Sequence, residues 1–285
     1  MRHPFAAVNL ISDPIHGYVE LTKRLTRGGS ALAGLALTLA VILSNVPAAS
    51  AATTTESEHL VMDQVNAARA ALGLVPLRAD SRLWDLAGDR AATMASHNVL
   101  SHTVAGSLSG SLNARGISWY GNGETIGYTT ASRGRAAAIS LFQAWRGSPD
   151  HWTLLMSDRY NYLGVGMAYR SSNGRTFGSI VLTESRDHSG ARAVVVSANR
   201  SGDDIRWTWR GWDPRLQTHT AGLRDFTVQM RRGYGAWVTV LTHTTATARR
   251  SLNRTRGHWY GLRVRARDRL GNIGPWSAER RVWVP

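Results

Sequence analysis

The sequence contains no cysteine, which excludes disulfides and thiolate metal centres. Acidic residues are scarce: 19 Asp and Glu stand against 34 Lys and Arg, for a net charge of +15. A membrane-length apolar run is also missing. Ser30–Leu43 is uncharged and apolar for 14 residues, short of the roughly 20 that a spanning helix needs. No G-x-S-x-G and no Ser-His-Asp order is visible, which argues against a nucleophile-elbow hydrolase. No recognition helix or RNP-like aromatic motif is present either, so a specific nucleic-acid partner is not expected.

What charge there is lies unevenly. Residues 190–285 hold 18 Arg and 6 acids, whereas residues 52–189 are close to neutral, with 12 Arg and 11 acids. A length of 285 residues suits two domains, and the asymmetry points to the same division. Residues 1–51 read as an N-terminal extension and secretory signal. Arg24 and Arg27 form its charged start, Ser30–Leu43 its apolar centre, and Ala49-Ser50-Ala51 its small-residue cleavage site. The expectation is a mature extracellular chain from about Ala52 with no transmembrane span. An uncleaved anchor is the alternative.

Residues 52–58 form a polar linker, and a domain over 59–187 follows. A helix starting at Glu58 carries Val61, Val65, Ala68 and Leu72 on one face, and Gly73 and Pro76 end it. A second helix follows from Ser81, capped by Asp80 or Ser81. It turns Leu83, Leu86, Ala87 and Met94 inward and runs out near Asn98. Gly106 to Gly123 is rich in Gly and Ser and reads as a functional loop. A third helix over Arg135–Trp145 buries Ala138, Leu141, Phe142 and Trp145. Ser148-Pro149 then starts a short helix with Ser as N-cap and Pro at N1. His151 falls in its first turn, where the dipole favours the neutral imidazole. Tyr162–Tyr169 is a strand whose glycines admit a close neighbour. It pairs with Phe177–Thr183 across Ser171-Ser172-Asn173-Gly174.

Several of these residues occur together in one family. Asn66-x-x-Arg69, Ser101-His102, Gly123-Glu124-Thr125-Ile126, and Trp145 followed by Ser148-Pro149-x-His151 and Gly164-Val165-Gly166 resemble, in order, the motifs of the CAP superfamily. These are the cysteine-rich secretory, antigen 5 and pathogenesis-related 1 proteins, here in bacterial form. The resemblance covers about residues 59–185 and implies an α+β fold, a three-layer α-β-α sandwich. It also implies that His102, Glu124 and His151 meet in a central cleft. Two imidazoles and one carboxylate suit a Zn²⁺ shell with an open position, or an acid–base cluster without metal. The family's second Glu is replaced by Ser148, so the ligand set is incomplete and any Zn²⁺ is held weakly. Near the N-terminus, Asn9–Leu25 resembles the opening of HD-domain phosphohydrolases. No H…HD…D series follows, so initiation near Val19 or a fused remnant is the reading, and His16 has no role.

From Ala191 the pattern becomes period-2, with strands expected at Ile205–Trp209, Leu223–Met230, Ala236–Leu241, Tyr260–Ala266 and Glu279–Val284. Gly257–Asp268 followed by Gly271-Asn272-Ile273-Gly274-Pro275-Trp276-Ser277 resembles a bacterial fibronectin type III domain, which implies an all-β sandwich over 190–285. Leu262, Val264 and Ala266 face its core. Arg263, Arg265 and Arg267 form an outward row, either an ordinary solvated face or a site for anionic wall polymers. A boundary near Asp187–Ala191 predicts that residues 53–187 fold alone. Two functions stay open. One is a secreted monomer binding a lipid or cell-envelope ligand in the cleft, with the sandwich as spacer or surface-binding module. The other is a metal-dependent extracellular hydrolase acting on peptide or cell-wall material.

Overall fold

The computed structural model describes residues 54–130 and 133–285. The N-terminal extension and signal segment over 1–51 lie outside the described residues.

The first domain is built on a four-stranded sheet in the order β1-β3-β4-β2, formed by β1 Arg78–Ala79, β2 Gly121–Thr129, β3 Tyr162–Arg170 and β4 Arg175–Glu184. Strands β3 and β4 form the expected hairpin, closing Arg170 against Arg175 with Gly174 at φ +70°. Helix α2, Ser81–His97, covers one face. Its N-cap is Asp80, whose carboxylate accepts from Arg82 N at 2.8 Å, and its end is Asn98 in the left-handed region. Leu83, Leu86, Ala87, Met94 and Ala95 are buried, as the periodicity predicts. The close neighbour of the β3 glycines is this helix. A Cβ on Gly164 would lie 2.1 Å from the Leu83 carbonyl carbon, and one on Gly166 2.2 Å from that of Ala87. The other face carries α1 Thr54–Ala71, α4 Arg135–Gly147 and α5 Pro149–Leu155. There Val61, Val65, Ala138, Leu141 and Trp145 pack on Leu163, Val165, Ile180 and Leu182. The result is the three-layer α-β-α arrangement.

Three local expectations need correction. Leu72 is 60% exposed, because α1 stops at Ala71 and Gly73 turns the chain at φ +73°. The inner position one turn from Val65 goes instead to Arg69, which is fully buried. Its guanidinium donates to the carbonyls of Leu155 (2.9 Å) and Ser157 (2.7 Å) at the end of α5, where unpaired acceptors favour a donor. Asn66 likewise exchanges two bonds with the Leu77 backbone, at 3.0 and 2.8 Å. The Asn66-x-x-Arg69 pair is therefore structural. Within the Gly/Ser-rich stretch, Leu108–Ala114 forms helix α3, capped by Ser107 and anchored by buried Leu112. Finally, Ser148 sits at the N-cap of α5 but its side chain makes no cap bond.

The second half is a sandwich of two antiparallel sheets. One has the order β5-β6-β9, from β5 Arg192–Ser201, β6 Asp204–Trp212 and β9 Ala248–Ser251. The other has the order β11-β10-β7-β8, from β7 Leu223–Arg232, β8 Val238–Thr244, β10 His258–Asp268 and β11 Arg280–Val284. Inward residues alternate as read from the sequence: Ile205, Trp207 and Trp209 from β6 meet Leu262, Val264 and Ala266 from β10. Tyr260 donates its hydroxyl to the Thr255 carbonyl at 3.2 Å, the corner bond that pins the start of such a strand.

Sheet membership changes between Glu184 and Arg192, but the packing does not stop there. The loop over 213–222, between β6 and β7, reaches back onto the first domain. Its Leu216 is 2% exposed and packs in the cluster of Leu83, Leu86, Leu112, Ile117, Tyr162 and Val181. Around it, Arg78 donates to the Pro214 carbonyl at 2.7 Å, Asn161 to that of Thr218 at 3.1 Å, and Val75 N to Gln217 Oε1 at 2.7 Å.

Candidate functional site

Glu124 leaves β2 on the α2 side of the sheet, and what meets it there is Arg90. This arginine occupies a buried position on α2, one turn beyond Ala87. Its guanidinium grips the carboxylate with two bonds, Nε to Oε1 at 2.5 Å and Nη2 to Oε2 at 2.9 Å. Ser179 of β4 donates to Oε1 at 2.9 Å. The His102 ring nitrogen Nδ1 lies 2.8 Å from Oε2. Both Glu124 side-chain oxygens are thus shared between two donors each, with the side chain only 4% exposed. Burial pushes its pKa up. The hydrogen bonds from His102 and Arg90, together with the charge of Arg90, outweigh burial and hold it below the usual carboxylate range.

Arg90 also fixes the loop that bears His102, donating to the His102 carbonyl at 2.5 Å and to that of Gly106 at 3.1 Å. With Nδ1–H directed at the carboxylate, the His102 ring has its orientation set from behind by Glu124. His102 is the more open of the site's groups, with 38% of its side chain exposed. His151 stands half-buried at the start of α5. Its pKa is lowered, as expected, but burial is the main cause, followed by the nearby charge of His102. Helix α5 has seven residues, and the helix-pole argument is not needed.

The structure therefore ties His102 to Glu124 directly and keeps His151 within electrostatic reach of His102. A cation at His102, Glu124 and His151 would have to compete with Arg90 and Ser179 for the Glu124 oxygens. Among the described residues, the one trio of acidic or imidazole groups whose ligand atoms lie within 4.8 Å of one another is elsewhere: Asp187, Asp213 and Asp268. Sequence reasoning missed Arg90 and Ser179. The signal for Arg90 was available, because an arginine three residues from Ala87 and four from Met94 on an inward helical face requires a buried anion.

The arginine row of β10 is outward but not free. Arg263 lies between Trp237 (4.3 Å to the ring centre) and Trp276 (4.6 Å), and Arg265 lies over the same Trp276 at 4.6 Å. Arg267 pairs with Asp225 at 2.6 Å. Among the described residues, no helix is long and apolar enough to cross a membrane.

Fold and site together define an α-β-α sandwich in which a buried carboxylate, Glu124, is locked by an arginine and orients a histidine. Residues 62–183 match the family model "CAP: Cysteine-rich secretory protein family". No curated protein matches the sequence. Among solved structures, the chain is similar to an extracellular SCP-domain protein of Bacillus anthracis, at 20% identity and a TM-score of 0.40 over 46% of this chain and 42% of that one. It is also similar to an outer surface protein of Borrelia burgdorferi, at 16% identity and a TM-score of 0.42 over 47% and 96%. The sandwich is similar to an Fn3-like protein of Clostridium thermocellum, at 24% identity and a TM-score of 0.23 over 34% and 90%.

Proposed function

We propose that the chain is a secreted, monomeric binding protein whose CAP cleft holds a lipid or cell-envelope ligand at His102 and His151. Its fibronectin type III-like sandwich serves as spacer or surface-binding module. The reading is carried by the Arg90–Glu124 pair. A carboxylate that is ionised, buried and committed to Arg90, Ser179 and His102 is a weak base with no proton to give. The second carboxylate expected from the resemblance is Ser148 here, so the paired-carboxylate route to hydrolysis has no partner. What remains is a pair of imidazoles offering hydrogen bonds to a polar head group. The export reading rests on the charged, apolar and small-residue order over 24–51.

The experiment is a hydrolysis screen of the purified chain on peptide and cell-wall substrates, with and without chelator, alongside elemental analysis. Zinc titrations of wild type, His151→Ala and Ser148→Glu accompany it. The binding reading expects no turnover. It expects weak zinc uptake that His151→Ala removes and Ser148→Glu strengthens. Chelator-sensitive turnover would replace it with the metal-dependent hydrolase. Equal zinc affinity in all three proteins would take the imidazoles out of any metal site.

A further inference from the structure

Three aspartates that play no part in the CAP cleft converge where the two domains meet. Asp187 follows the last strand of the CAP sheet, Asp213 opens the loop that docks on the first domain, and Asp268 ends β10 of the sandwich. Each places a carboxylate oxygen within 4.8 Å of the other two. Asp187 and Asp268 are 3% and 0% exposed. Among the described residues none of the three forms an ion pair with Arg, Lys or His, although the charge of Arg78 is felt at Asp213. Asp213 is only partly buried, so three formal negative charges are gathered at close range with two of them out of solvent, where like charges repel.

Neutral donors satisfy two of the three. Asp187 Oδ1 accepts from Tyr162 Oη and Ser189 N, each at 3.0 Å, and Oδ2 from Ala221 N at 3.0 Å. Asp268 accepts from Asn272 N at 2.8 Å and Asn272 Nδ2 at 2.7 Å. Asp213 differs. Its Oδ2 takes Gly222 N at 2.6 Å, but Oδ1 is buried and accepts from no donor. A buried carboxylate oxygen without a donor is costly, and more so beside two further carboxylates. Burial and the charges of Asp187 and Asp268 both push the Asp213 carboxyl up.

We propose that Asp187, Asp213 and Asp268 bind one Ca²⁺ ion that joins the CAP domain to the sandwich. The ligands are hard oxygens with no nitrogen or sulfur among them, which disfavours zinc and copper. Magnesium demands near-octahedral geometry and keeps several of its waters, whereas calcium accepts irregular carboxylate sets. The ion supplies Asp213 Oδ1 with the partner it lacks and offsets the repulsion among the three carboxylates. Because the ligands come from both sides of the domain boundary, binding is coupled to docking of the 213–222 loop.

The test is calorimetric titration of the chelator-treated full chain with Ca²⁺, paired with thermal melts in calcium and in chelator. Expected are one ion per chain and a melting temperature that climbs with calcium concentration. Asp213→Asn keeps an acceptor for Gly222 N but removes a ligand charge, and should weaken affinity roughly tenfold or more. Asp268→Asn should do the same, which guards against a folding defect peculiar to one variant. His151→Ala should retain the full calcium response, separating this site from the CAP cleft. A wild type that takes up no calcium at millimolar concentration and melts alike in calcium and chelator would overturn the proposal. So would unchanged calcium affinity in both Asn variants. If Asp213→Asn instead raises the calcium-free melting temperature of a protein that ignores calcium, the third carboxylate is held by a proton and no ion binds.

Discussion

Truncating Leu216 to alanine tests whether the two domains are one folding unit. Leu216 belongs by sequence to the β-sandwich half but is buried against α2, α3 and β3 of the first domain. Removing its three outer carbons leaves a cavity walled by Leu83, Leu86, Leu112, Ile117, Tyr162 and Val181, all but Ile117 carried on strands and helices. Such a site collapses poorly, so the cost belongs in the usual range for buried leucine, about 2–5 kcal/mol. For a folded region of this size each kcal/mol moves the melting temperature by roughly 2–4 °C, so a mid-range loss of about 3 kcal/mol lowers it by roughly 6–12 °C. Differential scanning calorimetry is the assay. In the full chain it should show one cooperative transition that moves as a whole. The segment 53–187, which lacks Leu216 and the bonds to Pro214, Gln217 and Thr218, should melt lower still or fail to fold. A shift of less than about 2 °C in Leu216→Ala, or a segment 53–187 as stable as the full chain, would show that the loop merely rests on the surface.

Other perturbations have equally direct consequences. Gly164→Ala pushes a methyl group into the backbone of α2 at Leu83 and Trp84. Since neither backbone can yield locally, the loss should exceed the usual overpacking range of about 1–3 kcal/mol, read as lost soluble yield or a much lower denaturation midpoint. Arg90→Met strands the Glu124 charge in a buried position and should cost about 3–5 kcal/mol. Adding Glu124→Gln to it should recover a large part of that loss, and failure of the double variant to recover any would mean that the pair is not the source. Stability should also fall with acid in two stages. His151 has a lowered folded pKa, so it binds fewer protons folded than unfolded, and stability drops once pH passes below about 6.5. Glu124 also has a lowered folded pKa. Its contribution is complete above the unfolded carboxylate value and is lost as pH falls through the folded one. Urea midpoints across the pH range check both stages, and His151→Ala should erase the first alone.

Much of the first domain was legible because its constraints are local. Glycines at 164 and 166 announced a close approach, and the approaching partner is a helix. The inward stripe of α2 followed its period from Leu83 to Met94. The failures share a cause: a partner distant in sequence decided the outcome. Hydropathy placed Leu72 inside α1 and left Arg69 outside, since nothing near Arg69 reveals that the carbonyls of Leu155 and Ser157 will need a donor. The loop over 213–222 has no periodicity and is mostly polar, so nothing in it marks Leu216 as a core residue. Helix α3 was hidden by composition, because serine and glycine read as loop until Ser107 caps the turn and Leu112 finds a core. Glu124 was found by resemblance, yet its chemistry was set by Arg90, which no motif marked.

The same lesson bears on the basic sandwich. Counting charge makes residues 190–285 a strong polycation, and the alternation along β10 makes its arginines a row on one face. The structure changes what that row can do. Arg231 pairs with Glu279 and lies over Trp237 at 4.5 Å. Arg281 pairs with the same Glu279 and lies over Tyr234 at 4.6 Å. With Arg263 and Arg265 packed on Trp237 and Trp276, the face becomes a tiled layer of guanidinium and aromatic planes. Contacts of this kind are worth about 0.5–1 kcal/mol each where exposed, enough in sum to hold the side chains still. A flexible basic brush would attract any polyanion in proportion to its charge. A fixed layer offers planar donors at set spacing, and part of its charge is already met by Glu279 and Asp225. The packing that stiffens the sandwich also decides how its arginines are presented.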